Sequence, residues 1–116
     1  MNLDDVNIKY NEQLFSWVVE NLYKNSIDAV REDGEININL VDRKKSVVID
    51  FTDNGKGIKK GEFKKVFSPG FTSKRRGWGL GLTLAKRIIE NYHEGKIYVF
   101  KSIKNIETTI RIELKK

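Results

Sequence analysis

The 116-residue sequence contains no cysteine, one proline and one histidine. Without cysteine the chain can form neither a disulfide framework nor a thiolate metal site, which agrees with a reducing compartment. No apolar run approaches the roughly 18 residues that a membrane-spanning helix needs, and the acidic start of the chain is unlike a signal peptide. We therefore expect a cytoplasmic domain that makes no membrane contact, whether or not a longer parent protein is membrane-anchored.

Length and charge narrow the class of protein. A chain of 116 residues fits one compact domain, and a hydrophobic content of 39% is sufficient for a core. The net charge of +6 favours anionic partners. Much of the positive excess clusters in one stretch, at Lys59, Lys60, Lys64, Lys65, Lys74, Arg75 and Arg76. This clustering suits the phosphates of a mononucleotide better than nucleic acid, which needs a continuous basic face with stacking aromatic residues.

Hydrophobic periodicity predicts the order helix, two strands, loop, helix, two strands. The predicted helices are residues 12–31, with Asn11 as N-cap, a short helix at 60–67 and a third at 82–92. The predicted strands are residues 36–40, 47–51, 96–101 and 108–114, with 4–9 as a further candidate, and residues 68–79 form a mobile loop. This order indicates an α+β fold, a two-layer sandwich in which helices cover one face of a mixed β-sheet.

Asn21 and Asn25 are four residues apart in the first predicted helix, so both amides project from one side of it. Two amide oxygens on a rigid element can ligate Mg²⁺, which prefers oxygen ligands and keeps several waters. An isolated asparagine pair is more often a solvent-exposed helix face. The metal interpretation therefore depends on the motifs that follow.

A second motif, Asp-Asn-Gly-Lys-Gly at residues 53–57, follows the more buried predicted strand. A carboxylate at Asp53 can accept a hydrogen bond from the exocyclic amine of adenine. Gly55 and Gly57 permit positive φ and a close approach of a flat ring. The alternative is an ordinary turn of Asn-Gly type.

A third motif is the glycine-rich run of residues 77–83, which leads into the last predicted helix. Backbone amides at a helix N-terminus can hold phosphate oxygens, assisted by the helix dipole. Lys74, Arg75 and Arg76, just upstream, would add positive charge near the β- and γ-phosphates. The run lacks the Gly-Lys-Ser/Thr of a Walker sequence, and it follows a loop instead of the strand that a dinucleotide fingerprint requires.

In this order, the three motifs resemble the nucleotide-binding boxes of the superfamily shared by histidine kinases, gyrase B, Hsp90 and MutL. The resemblance covers residues 11–114, nearly the whole chain. Residues 63–72, 79–89 and 93–97 are similar to the F box, the second glycine box and the helix exit of histidine kinases in particular. The chain thus resembles the ATP-binding catalytic domain of a sensor histidine kinase, which has the Bergerat fold.

The resemblance implies Mg²⁺-ATP as the ligand and a role for each matching residue. Asn21 and Asn25 would hold Mg²⁺, Asp53 would read adenine, and Thr108 would support Asp53 from a neighbouring strand. The base pocket would be lined by Gly55, Gly57 and Ile58, and the phosphates would be contacted by Thr72, Lys74, Arg75, Gly77, Gly79, Leu80, Gly81 and Leu82. Two positions depart from the family: Glu107 replaces the glycine before Thr108, and Asp28 replaces a basic residue whose role falls to the loop cations.

Position 21 distinguishes branches of the superfamily. Gyrase-like ATPases and anti-sigma-factor serine kinases usually place a catalytic glutamate there, whereas this chain has Asn21 and an adjacent Glu20 rotated by about 100°. Phosphoryl transfer depends mainly on positioning and charge neutralisation. We therefore expect slow hydrolysis and histidine kinase activity, with Asn21, Glu20 and Lys74 as catalytic candidates. The alternative is a serine kinase of the anti-sigma-factor type or an ATP-binding module that sequesters a protein partner.

His93 lacks the sequence context of a phosphoacceptor, so we expect a structural role for it. The resemblance then implies histidine-bearing acceptor helices of the parent kinase as partner and a response regulator downstream. The domain would be a monomer in isolation, either one piece of a longer kinase or a domain that acts in trans. Trp17, Trp78 and Phe71 are candidates for docking an acceptor helix, although a core position is the favoured interpretation for Trp17.

Overall fold

The computed structural model describes residues 11–30, 34–69 and 81–116. The elements are α1 (Glu12–Ala29), β1 (Ile36–Asp42), β2 (Ser46–Asp53), α2 (Gly81–Arg87), β3 (Lys96–Ile103) and β4 (Glu107–Lys115). Two 3₁₀ turns, Lys60–Glu62 and Lys65–Phe67, replace the predicted short helix, and α2 continues into a π-helical turn, Ile88–Tyr92. The predicted order of α1, the first two strands, α2 and the last two strands is confirmed. The candidate strand at 4–9 and most of the predicted loop lie outside the described residues.

The four strands form one sheet in the order β1-β2-β4-β3, and each of its three pairings is antiparallel. The α+β two-layer prediction is confirmed. A mixed sheet was predicted, but the described strands contain no parallel pair. Short turns make β1–β2 and β3–β4 antiparallel, and the central pair β2–β4 is antiparallel as well. The register places Asp53 at the end of β2 opposite Thr108 of β4.

The core lies between the helices and one face of the sheet. Helix α1 contributes Phe15, Val18 and Leu22, whose spacing places them on one stripe. Alternate residues of the central strands meet that stripe: Val47, Ile49, Phe51, Ile110, Ile112 and Leu114. Each such side chain stabilises the fold by about 1.5–3 kcal/mol on burial. No helix among the described residues is long and apolar enough to cross a membrane.

His93 ties the start of α1 to the end of α2. Its Nε2 accepts a hydrogen bond of 2.9 Å from the backbone N–H of Asn11, and its Nδ1 lies 3.1 Å from the carbonyl oxygen of Ile88. Because Nε2 accepts, Nδ1 carries the proton and donates to Ile88. The ring also contacts Phe15 edge-on. These contacts give His93 the structural role that was predicted for it.

Candidate functional site

Asp53 is a buried carboxylate, with 7% of its surface exposed. It lies at the end of β2, where the apolar strand brings it to the edge of the core. The Gly55 N–H donates to Asp53 Oδ1 at 2.9 Å. Burial raises the pKa of Asp53, while the Gly55 N–H and the nearby Ser26 side chain of α1 oppose the rise. The carboxylate keeps further acceptor capacity beyond the bond from Gly55.

Thr108 lies opposite Asp53 in the β2–β4 register and is buried. Its Oγ1 is 2.7 Å from the Oγ of Ser102, which accepts a hydrogen bond of 2.8 Å from the backbone N–H of Ile58. Gly57 has φ 81°, and a Cβ there would lie 3.1 Å from Ser102 Oγ. Strands β3 and β4 therefore fix the part of the loop that follows Asp53.

Gly55 is required for a different reason from the predicted one. Its φ is not positive. Instead, a Cβ on Gly55 would lie 2.2 Å from the carbonyl oxygen of Ala29, the last residue of α1. The same oxygen accepts from Lys56 N–H at 2.9 Å, and Asn105 N–H donates to the Gly55 carbonyl at 2.8 Å. The loop is thus held between the end of α1 and the β3–β4 turn.

Asn21 meets the N-terminus of α2. A Cβ on Gly81 would lie 2.7 Å from Nδ2 and 2.9 Å from Oδ1 of Asn21, so only glycine fits without displacing that amide. Asn25 lies one turn further along α1, and both asparagines are half-buried. Leu82, next in α2, packs against the core. The Asn21 amide therefore faces the start of α2, the helix that the glycine-rich run enters.

The donor set at this edge fits Mg²⁺ better than a transition metal. Within residues 11–30, 34–69 and 81–116 there is no group of three or more His, Cys, Asp or Glu side chains that could hold a metal ion. The amide oxygens of Asn21 and Asn25 are hard ligands, and Mg²⁺ typically combines a few protein oxygens with waters and substrate phosphates. Such a metal would be bound mainly together with its nucleotide.

Glu20 and Trp17 lie on the outer side of α1. Both are exposed, Trp17 by 37%, so the core interpretation of Trp17 is wrong. They line an open groove together with Glu12, Gln13 and Ser16. Because successive residues of an α-helix are rotated by about 100°, the Glu20 side chain leaves α1 on a different side from the Asn21 amide.

Most of the glycine-rich run, and the basic residues just upstream of it, lie outside the residues that the structure describes. The described residues leave out most of the predicted phosphate contacts, namely Thr72, Lys74, Arg75, Gly77, Gly79 and Leu80. They also leave out the docking candidates Phe71 and Trp78. The helix that follows them is anchored at two points. Thr83 Oγ1 donates to the carbonyl of Phe67 at 2.8 Å, and the Lys86 ammonium lies 5.8 Å from the centre of the Phe67 ring.

Two residues of the site were missed from the sequence. Ser26 continues the stripe of Phe15, Val18 and Leu22, and a serine where the period demands an apolar residue is a signal that was available. Ser102 carried no such signal. It shares a face with Thr108 only because a bulge interrupts the β3–β4 register between Val99 and Lys101, and the sequence does not show that bulge.

Residues 10–116 match the family described as "Histidine kinase-, DNA gyrase B-, and HSP90-like ATPase". Sensor histidine kinase ZraS of Escherichia coli (strain K12) is 40% identical over 82 residues, which are 71% of this chain and 17% of ZraS. Sporulation kinase D of Bacillus subtilis (strain 168) is 33% identical over 106 residues, 90% of this chain and 21% of that kinase.

Solved structures agree with these relatives. The nucleotide-free catalytic domain of histidine kinase ThkA has a TM-score of 0.84 at 33% identity, over 94% of this chain and 71% of that one. The mycobacterial sensor histidine kinase MprB has the same TM-score at 24% identity and supports the fold alone. The chain spans about a fifth of the length of curated relatives such as Sporulation kinase D. It belongs to the family of histidine kinase-, DNA gyrase B- and Hsp90-like ATPases, as a catalytic domain of the histidine kinase type.

Proposed function

We propose that this domain binds Mg²⁺-ATP and transfers the γ-phosphate to a histidine on a separate acceptor domain of its parent kinase. Family membership supports ATP as the ligand. The observation that carries the proposal is the buried carboxylate of Asp53, set at one end of a site whose other end holds Asn21 against the start of α2. A buried carboxylate is costly unless it has partners, and a purine amine would be an additional one.

At the base end, Asp53 accepts a hydrogen bond from the exocyclic amine of adenine. Gly57 and Ile58 line the pocket beside it, in the loop that Ser102 fixes. Gly55 keeps this loop close to α1. Thr108 fills the position next to the carboxylate on β4.

At the phosphate end, Asn21 and Asn25 hold Mg²⁺, which neutralises charge on the transferred phosphoryl group when bound. Gly81 and Leu82 offer backbone at the start of α2. The remaining candidates of the glycine-rich run complete the phosphate contacts in the proposal: Thr72, Lys74, Arg75, Gly77, Gly79 and Leu80. Lys74 adds charge stabilisation in the transition state.

Transfer needs an acceptor helix next to the γ-phosphate. Trp17 lies one turn before Asn21 on α1, in the groove that also contains Glu12 and Glu20. An exposed aromatic side chain between two carboxylates suits an acceptor helix that presents basic residues. Glu20 serves as a base only if the bound acceptor brings its imidazole to this outer side. The response regulator acts downstream, and the isolated domain is a cytoplasmic monomer in this proposal.

Titration calorimetry with a non-hydrolysable ATP analogue and Mg²⁺ tests the nucleotide site. Asp53→Asn removes the charged acceptor and should weaken binding at least about tenfold, since a hydrogen bond to a charged group contributes about 1.5–3 kcal/mol. Asp42→Asn, at the opposite end of the sheet, is the matched control and should bind as the wild type does. If the wild type binds no nucleotide, the kinase proposal is wrong.

Mixing the domain with separately produced acceptor helices and γ-labelled ATP tests the transfer. A phosphohistidine is lost in acid and survives in alkali, whereas a phosphoserine survives acid, so the same sample separates the histidine kinase from the serine kinase alternative. Trp17→Ala should slow the transfer and leave nucleotide affinity unchanged. Tyr23→Ala, which removes another exposed aromatic residue of α1, is the control. Equal rates for both variants would exclude Trp17 from docking.

A further inference from the structure

Ser102, Thr108 and Asp53 form one polar row across three strands. Ser102 of β3 pairs with Thr108 of β4, and Thr108 pairs with Asp53 of β2. The next two rows into the core are apolar: Phe51, Ile110 and Val99, then Ile49, Ile112 and Ile97. Burying a polar group is unfavourable unless it is hydrogen-bonded. The change from apolar to polar side chains at this end of the sheet therefore indicates a role other than packing.

The Ser102 hydroxyl joins this row to the loop after β2. Its Oγ accepts a hydrogen bond of 2.8 Å from the backbone N–H of Ile58 and lies 2.7 Å from Thr108 Oγ1. A hydroxyl has one proton and two lone pairs, so Ser102 can make both bonds at once. One side chain thus connects the β3–β4 pair to a loop residue 44 positions earlier in the chain.

The loop is held at separate points, and Ser102 holds its second half. The first half is fixed at Gly55, whose carbonyl accepts from the Asn105 N–H at 2.8 Å. Gly57 follows with φ 81°, and a residue without a Cβ restricts the chain less than any other. The bond from Ile58 to Ser102 therefore supplies a restraint that the torsions of Gly57 do not.

We propose that Ser102 is a positioning residue for the base pocket, which holds Gly57 and Ile58 in place beside Asp53 before the nucleotide arrives. This inference rests on the proposed nucleotide site. Gly57 and Ile58 line the base pocket in that proposal, and a loop that is already in its bound position loses less conformational entropy on binding. Ser102 acts through the loop and does not itself touch the nucleotide.

Ser102→Ala removes the acceptor of the Ile58 N–H and is tested by amide hydrogen exchange and by calorimetry with ADP. In the nucleotide-free domain, exchange of the Ile58 amide should become about threefold to tenfold faster, the factor that one ordinary hydrogen bond corresponds to. The Lys56 amide, which donates to the carbonyl of Ala29 at 2.9 Å, should exchange as in the wild type. Affinity for ADP should fall by a similar factor with and without Mg²⁺, because the change lies at the base end of the site.

Thr52→Val is the matched control. The Thr52 hydroxyl lies 2.8 Å from the Thr109 hydroxyl, so this change also breaks a pair of hydroxyls that joins two strands. Thr52 directly precedes Asp53 in β2, and successive side chains of a strand point to opposite faces of the sheet. Thr52→Val therefore perturbs the sheet next to the site but on its other face, and ADP affinity should equal that of the wild type.

Unchanged exchange of the Ile58 amide, or a loss of ADP affinity no larger than that of Thr52→Val, would overturn the inference. Ser102→Cys keeps a side chain of similar shape with a much weaker acceptor, so it gives the same comparison if the alanine variant does not fold. Asp53→Asn is measured in the same series. If Asp53→Asn binds ADP like the wild type, the proposed base recognition fails. If Asp53→Asn is weak and Ser102→Ala binds normally, only the role of Ser102 is wrong.

Discussion

Replacing Gly55 with alanine tests how closely the loop after β2 is held against α1. The added Cβ would lie 2.2 Å from the carbonyl oxygen and 2.5 Å from the carbonyl carbon of Ala29. Both atoms belong to the helix backbone, so no side-chain rotation can relieve the contact. The loop and the end of α1 must separate, and the hydrogen bond of 2.9 Å from Lys56 N–H to Ala29 is then lost.

The expected cost is the sum of two effects. Forcing extra volume into a packed contact costs typically about 1–3 kcal/mol, and the lost backbone hydrogen bond adds about 0.5–1.5 kcal/mol. Gly55→Ala should therefore lower the free energy of unfolding by about 1.5–4.5 kcal/mol. In a domain of this size one kcal/mol shifts the melting temperature by about 4 °C. The melting temperature should fall by roughly 6–18 °C.

Gly61→Ala is the matched control, because a Cβ on Gly61 meets nothing within 4 Å. A compatible glycine-to-alanine change stabilises by at most about 1 kcal/mol through the unfolded chain. Urea denaturation of both variants, with unchanged slopes, gives the comparison. If the two variants differ by less than about 0.5 kcal/mol, which is within the usual scatter of surface substitutions, the close contact between loop and helix is wrong.

Three further predictions concern other contacts. Gly81→Ala should displace the Asn21 amide and weaken the Mg²⁺-dependent part of nucleotide binding, measured by calorimetry with and without Mg²⁺, with little change in stability. His93→Phe should cost about 1–3 kcal/mol in urea denaturation, because the N–H of Asn11 and the carbonyl of Ile88 lose their partner. The pKa of the Asp53 carboxyl in the folded protein is raised above its ordinary value of 3.8, so the folded state holds this proton more tightly than the unfolded chain does. Compared with Asp53→Asn, the wild type should therefore lose stability as the pH rises above 3.8. Unfolding curves measured over a series of pH values check the direction of this change.

The strands and the long helix α1 were predictable from their patterns. The period of three to four residues fixes both α1 and its inner face. The alternation of residues 36–40 identifies the strand, but Ile38 is 41% exposed, so the alternation does not fix which side chains of β1 are buried. The helix predicted at residues 60–67 was not formed. Phe63 and Val66 are three residues apart, a spacing that suits 3₁₀ turns as well as a helix. The π-helical turn Ile88–Tyr92 was also missed, since hydrophobic periodicity alone does not separate it from an α-helix.

The position of a candidate site residue was predictable where it depends only on the helix or strand that carries the residue. Asp53 follows a buried strand, and Asn21 and Asn25 share a helix side, so their places follow from local structure. The rest depends on contacts between elements. Ser102 reaches the site through a bulge, and the close fit of Gly55 against Ala29 requires α1 to end beside the loop that follows β2. No periodicity within a single element contains that information.

Several glycines of this domain lie where two elements approach each other closely, so a glycine in a motif can be required for packing as well as for binding. Gly55 lies against the backbone of Ala29, Gly81 against the Asn21 amide, and a Cβ on Gly95 would lie 2.4 Å from the carbonyl oxygen of Glu113. Each of these contacts joins elements that are distant in sequence. A larger residue at Gly81 would therefore move a candidate magnesium ligand before it disturbed any phosphate. Weak nucleotide binding by a glycine variant therefore does not by itself identify a phosphate contact, even when the variant keeps its stability.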